Sequence, residues 1–227
     1  MVKAVLFDLD NTLIDFMKMK RSSVSGAVKA MINAGLRLNQ MKAEKLMYSL
    51  YDKYGIEYGK IFQKFLEKAG GIDYKILASG IVAYRKVQLG FLEPYPRVIP
   101  TLLKLKQKGL KLAIVSDAPR LKAWMRLTEL GIADFFEVVV AFGDVAERKP
   151  SRLPFEKALK QLRLKPSDVL MVGDNLSRDI LGAKKLGMKT CFAKYGALSS
   201  GKIKSDFVIN KFEEILRICK HSSYDLS

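Results

Sequence analysis

The feature that most constrains this chain is a repeated junction. A short apolar run stops abruptly on polar or glycine-rich residues, and a helical stretch follows. Val5-Leu6-Phe7 stops on Asp8-Leu9-Asp10-Asn11-Thr12, and Leu110 to Val115 stops on Ser116-Asp117-Ala118-Pro119. Phe136 to Val140 leads through Gly143-Asp144 to Arg148-Lys149-Pro150, and Asp168 to Val172 breaks on Gly173-Asp174-Asn175. Thr190 to Ala193 and Phe207 to Ile209 are shorter runs of the same kind. These runs are apolar throughout rather than alternating, the pattern of strands buried on both faces. Helical segments between them, near residues 98–108, 120–130, 155–162 and 177–186, supply the crossovers of a parallel sheet, with a last helix at 212–218. The expected fold class is α/β, a doubly wound parallel sheet.

One block breaks the alternation. From about Phe16 to Leu92 the periodicity is helical and no strand is evident. Met17 to Ala34 ends on Gly35, Met41 to Tyr54 on Gly55, and Tyr58 to Ala69 on Gly70-Gly71; Asp73 caps a fourth helix running to about Leu89. Asp15 reads as the cap of the first. Four glycine-punctuated helices make a small bundle. The expected organisation is a catalytic α/β part, residues 1–15 and 93–227, interrupted by a helical domain, residues 16–92. Such an insertion, just past the end of the first strand, is well sited to act as a lid.

The 227 residues are 49% hydrophobic, enough for a packed core. The opening apolar run is shorter than a signal-peptide core and no run approaches membrane-spanning length, so a cytoplasmic protein without membrane partners is expected. Cys191 and Cys219 form neither a disulfide framework nor a metal spacing and read as free thiols. The single histidine, His221, lies in a polar tail, which argues against histidine catalysis and histidine-ligated zinc. Trp124 and the scattered methionines read as packing residues. The net charge is +17, but the Lys and Arg residues are dispersed, with no basic block studded with aromatics. Nucleic acid is therefore not the expected partner, although such a field raises the local concentration of a phosphate ester. There is no P-loop and no GxGxxG.

In a parallel sheet the strand ends on one edge converge, and ligands bind there. Asp8 and Asp10, Ser116, Lys149, and Asp174 with Asp179 should therefore share one crevice. The inventory holds a carboxylate nucleophile, a second carboxyl to carry a proton, a hydroxyl and an ammonium to hold phosphate oxygens, and acids for a hard cation. A carboxylate attacking a phosphate ester is an anion approaching a dianion, and the acids also repel one another; Mg²⁺ answers both needs. Residue by residue, plainer readings remain: Ser116 and Asp179 as helix caps, Asp117 as a turn residue, and Arg148 in place of Lys149.

Phe7-Asp8-Leu9-Asp10-Asn11-Thr12, Val115-Ser116-Asp117, Lys149-Pro150, and Val172-Gly173-Asp174-Asn175 with Asp179 resemble, in order, the four motifs of the haloacid dehalogenase-like (HAD) hydrolases. The helical insertion resembles the α-helical cap of their subfamily I. The resemblance implies a Rossmann-like core with an inserted four-helix cap and a phosphatase that forms an aspartyl-phosphate on Asp8. It implies Asp10 as acid and base, and Ser116 and Lys149 as holders of the phosphoryl group. Mg²⁺ would sit on the Asp8 carboxylate, the Asp10 carbonyl and Asp174, with Asp179 beside them. Lys149 is favoured over Arg148 because Pro150 follows it. Asn11, Thr12 and Asn175 read as loop-shaping hydrogen-bonders. Asp10 argues against the dehalogenases that name the family, because they lack that acid and use no metal.

The expected substrate is a small phosphorylated metabolite: a sugar, triose or nucleotide monophosphate. A sugar-phosphate mutase is the alternative, and a non-catalytic basic binding protein a further one. Phe16, Lys20, Arg21, Tyr84 and Arg85 are the candidates for substrate choice, and a monomer or homodimer is expected.

Overall fold

The computed structural model describes residues 2–219; His221 lies outside them. Six strands, β1 (Ala4–Phe7), β2 (Lys111–Pro119), β3 (Val138–Phe142), β4 (Val169–Gly173), β5 (Lys189–Ala193) and β6 (Phe207–Ile209), form one sheet in the order β3-β2-β1-β4-β5-β6. Every pairing is parallel. The sheet is the α/β fold that the apolar runs imply. The strand order reverses between β1 and β4, and in open α/β sheets ligands bind at that switch point, beyond the carboxyl ends of the strands. Phe7 pairs with Ile114 on one side and Val172 on the other, so Asp8 and Asp174 leave the sheet as neighbours beside Val115 and Ser116 of β2.

The chain divides into two compact units, residues 1–15 with 93–227, and residues 16–92. The second unit holds α1 (Phe16–Asn33), α2 (Gln40–Tyr54), α3 (Ile61–Ala69) and α4 (Tyr74–Phe91). Its core gathers Val24, Val28, Met31, Met47, Leu50, Phe65 and Leu66, all buried. Asn39 caps α2 through the Lys42 N–H, and Asp73 caps α4 through the N–H groups of Lys75 and Ile76. α1 and α4 pack through small residues: a Cβ on Gly80 would lie 2.0 Å from the Met31 terminal methyl, and one on Gly26 2.8 Å from a Val87 methyl. α4 also passes through Gly90, where the glycine alone suggested a stop; one glycine costs only about 1 kcal/mol of helix propensity, too little by itself to end a helix.

In the first unit the sheet is flanked by α5 (Val98–Gln107), α6 (Arg120–Glu129), α7 (Arg152–Leu162), α8 (Leu181–Lys184) and α9 (Ile215–Ile218). Leu6, Val115, Val140, Phe155, Leu162 and Met171 form the core beneath one side. Phe7 packs against Phe212, ring centroids 5.6 Å apart. Cys191 and Cys219 are buried free thiols, and burial raises the pKa of both, so they stay protonated near neutrality.

Three further features differ from the sequence reading. β2 does not end at Val115 but continues to Pro119, which pairs with Phe142 after a register shift; pairing with the neighbouring strand overrides the turn preference of Ser-Asp-Ala-Pro. The helix expected to open at Ser177 or Asp179 begins instead as a π-helical turn, Leu176–Ile180, which passes into the short α8. Trp124 is not a packing residue. It is 41% exposed, and Met125 beside it 58%, because α6 buries the face carrying Ala123, Arg126 and Leu127; residue 124 lies about 100° round the helix from 123. Met41 is likewise exposed, whereas Met19, Met31, Met47, Met171 and Met188 are buried.

Candidate active site

Asp8 is the first residue past β1. Its N–H donates to the Val172 carbonyl (2.9 Å), so backbone pairing with β4 fixes its position. The carboxylate is buried, and its Oδ1 lies 2.6 Å from Lys149 Nζ. Lys149 also donates to the Val115 carbonyl at 2.8 Å, which aims its ammonium from the loop after β3 toward the end of β1. Asp179, returning from the π-helical turn, places Oδ1 2.6 Å from the same ammonium. That oxygen is buried, with the Lys149 ammonium as its ion-pair partner. Burial alone would discharge Lys149, but the carboxylates of Asp179 and Asp8 outweigh it and hold the ammonium charged.

Asp174 is the first residue past β4. Thr12 holds it twice: Thr12 Oγ1 accepts from the Asp174 N–H at 3.1 Å and donates to Asp174 Oδ1 at 3.3 Å. The Thr12 carbonyl accepts from the Tyr195 hydroxyl at 2.6 Å. Asn11, at φ 61°, takes the left-handed conformation that asparagine tolerates, and its carbonyl presses so closely on Gly196 that no Cβ fits there. Asn175 Oδ1 accepts from the N–H groups of Ser177 and Arg178, and the Asn175 N–H donates to Asp179 Oδ2 at 2.9 Å. Gly173 leaves room for that return: a Cβ there would meet Asp179 Oδ2 at 2.4 Å.

Oxygens of Asp8, Asp174 and Asp179 lie within 4.8 Å of one another, all three residues buried. Lys149 pairs with two of these acids, and the mutual repulsion of three buried carboxyl groups is a strain that a divalent cation would relieve. Burial, then the Asp8 and Asp179 charges, raise the pKa of Asp174; burial also raises that of Asp179, against the pull of Lys149. The donor set is all oxygen, which suits a hard cation such as Mg²⁺.

The remaining sequence candidates fall as follows. Ser116 is buried, and its Oγ accepts from the Ala118 N–H at 3.1 Å, leaving its proton to donate. Asp117 accepts from the Lys149 N–H at 3.0 Å and pairs with Arg178 at 3.3 Å. Arg148 is exposed and stacks over Phe142, 3.7 Å from the ring centroid. In the helical unit Phe16 and Lys20 are buried, and the Lys20 ammonium lies 4.3 Å from the centroid of Tyr51 and 5.3 Å from that of Tyr84. Arg21 lines an open groove of about 590 Å³ with Glu44 and Tyr48, and Arg85 is exposed.

Residues 2–187 match the haloacid dehalogenase-like hydrolase family. The chain belongs to that family. A glyceraldehyde 3-phosphate phosphatase of Methanocaldococcus jannaschii is 36% identical over 229 residues, covering 99% of this chain and all of the relative. A pyrophosphatase PpaX of Halalkalibacterium halodurans is 30% identical over 96% of each chain. Among solved structures, a HAD phosphatase from Thermococcus onnurineus superposes with a TM-score of 0.72 at 26% identity, over 96% of this chain and 97% of that one. This HAD-like chain is a phosphatase, and no helix among its described residues is long and apolar enough to cross a membrane.

Three residues of the site escaped the sequence reading. Arg126, buried in α6, puts Nη1 2.9 and 2.7 Å from the two Asp10 carboxylate oxygens. The signal was a lone arginine on the apolar face between Ala123 and Leu127. Arg178 sits where the charges of Asp8, Asp179, Asp117 and Asp174 all act on it and raise its pKa against burial. Tyr195, which holds the Thr12 loop, had no signal short of the folded chain.

Proposed function

We propose that this HAD-like phosphatase is Mg²⁺-dependent and hydrolyses a short phosphorylated metabolite, with glyceraldehyde 3-phosphate the first substrate to test. The observation that carries the reading is the buried group of Asp8, Asp174 and Asp179 around the single ammonium of Lys149. The named activity of the M. jannaschii relative supports the substrate class.

Asp8, Asp174 and the Asp10 carbonyl would hold the ion, with Asp179 beside them. When bound, Mg²⁺ supplies charge neutralisation that lets an anionic ester approach the acids. The Asp8 carboxylate attacks phosphorus, the bond from phosphorus to the ester oxygen breaks, and Asp10 gives the leaving alcohol its proton. Asp10 then takes a proton from water, whose oxygen attacks phosphorus of the aspartyl-phosphate. Phosphate leaves and the Asp8 carboxylate is restored. Lys149 and the Ser116 hydroxyl hold the phosphoryl oxygens throughout.

Residues 16–92 supply substrate choice in this reading. Of the candidates there, Phe16 and Lys20 are buried, whereas Arg21 and Arg85 are exposed and open to an anionic ligand.

The test is phosphate release from glyceraldehyde 3-phosphate, pyrophosphate and an aryl phosphate, with Mg²⁺ and with a chelator. Release that needs Mg²⁺ and disappears in Asp8→Asn is expected. Metal-independent release, or full activity of that variant, overturns the mechanism. Faster turnover of pyrophosphate would move the substrate assignment to the PpaX type, and isomerised sugar phosphate outrunning free phosphate would make the enzyme a mutase.

A further inference from the structure

Asp10 is the group that must both give and take a proton, and a carboxylate free to rotate does neither well. Its position is not left to its own backbone. Nη1 of Arg126 lies 2.9 Å from one oxygen and 2.7 Å from the other, so a single donor straddles the carboxylate and opposes its rotation. Charge-assisted contacts of this length are the strong class of hydrogen bond. The arginine is itself fixed: its side chain is 6% exposed against 22% for Asp10, on the α6 face that also buries Ala123 and Leu127. A guanidinium in that position of an amphipathic helix is costly to bury unless paired, and the carboxylate of Asp10 is a partner it pairs with.

We infer that Arg126 is a positioning residue for catalysis: from α6 it holds the Asp10 carboxylate in the orientation used for proton transfer, without touching substrate. This rests on the reading of Asp10 as the proton carrier. The assignment differs from a substrate-binding role, which would act on KM, and from a purely structural one, which would act through stability alone.

The experiment is a double-mutant cycle on the full-length protein with Mg²⁺ and an aryl phosphate: Arg126→Met, Arg126→Lys, Asp10→Asn and Arg126→Met/Asp10→Asn, each read for kcat, KM and thermal midpoint. Proton transfer by a positioned side chain is worth about 10²–10⁴-fold, so losing its orientation should cost Arg126→Met roughly 10–100-fold in kcat. KM should stay within about twofold, and Arg126→Lys should recover part of the loss because one donor can still reach a carboxylate oxygen. The double variant should be no slower than Asp10→Asn, since residues that act as a unit are not additive.

A raised KM with kcat unchanged overturns the inference, as does a loss in Arg126→Met that multiplies onto that of Asp10→Asn. Should Arg126→Met not fold, Arg126→Lys with and without Asp10→Asn decides by the same additivity. If Asp10→Asn itself leaves kcat intact, the reading of Asp10 falls; if it is impaired and the arginine effect multiplies, only the role of Arg126 falls.

Discussion

At the scale of single residues, the site is a set of charges that do not balance by themselves. Lys149 is in contact with both Asp8 and Asp179, so Lys149→Met removes a cation from among three buried acids. Removing one member of a buried ion pair costs about 3–5 kcal/mol, and a chemical denaturation curve should show a loss of that size in chelator. The opposite is expected of Asp174→Asn. Its carboxylate is strained by burial and by Asp8 and Asp179, whereas the contacts with Thr12 suit an amide oxygen equally well. Metal-free Asp174→Asn should be more stable than the parent by about 1–2 kcal/mol, the size of gain found when functional strain is relieved. It should also lose the Mg²⁺-induced rise in melting temperature. A variant that melts lower than the parent in chelator would contradict this account of the acids.

At the scale of elements, position comes from strand ends and from one tight return. The π-helical turn brings Asp179 back over Gly173, where a Cβ would sit 2.4 Å from Asp179 Oδ2 and 2.5 Å from its Cβ. Gly173→Ala must push the turn away, an overpacking that costs about 1–3 kcal/mol. Its diagnostic effect is on the metal, since Mg²⁺ titrated calorimetrically should bind more weakly to this variant. Phe155→Ala serves as the comparison: Phe155 lies in the core between α7 and the sheet, so its loss should cost about 3–5 kcal/mol with Mg²⁺ affinity little changed.

At the scale of the whole molecule, protonation and the cation compete for one site. Asp174 and Asp179 have pKa values raised above 3.8, so each favours the folded state most while protonated. Their contribution is complete below 3.8 and is lost as the pH climbs through their raised folded values. In chelator the melting temperature should therefore fall as pH rises above the carboxylate range, more steeply in the parent than in Asp174→Asn. With saturating Mg²⁺ the decline should shrink, because the ion replaces the protons and releases them on binding. Melting curves over that pH range, with and without Mg²⁺, check the sign. The charge of +17 acts at longer range: kcat/KM for a phosphate ester should fall with added salt as screening shortens the attraction.

The sequence by itself determined the layering and the chemistry of the strand ends. Apolar runs that do not alternate can be buried only in a sheet covered on both faces, and acids directly after such runs must emerge at its carboxyl edge. That is why Asp8, Asp174 and Lys149 are legible as a group in the sequence. The four helices of residues 16–92 were equally legible, because glycine and cap residues act within a turn of where they stand. Only the tertiary structure decided which charges meet. Arg126 lies 116 positions from Asp10 and Tyr195 183 from Thr12, separations across which no local periodicity operates. The continuation of β2 through Pro119 and the π-helical turn after Asn175 were likewise set by a neighbouring strand and a buried acid, forces that local propensity does not contain.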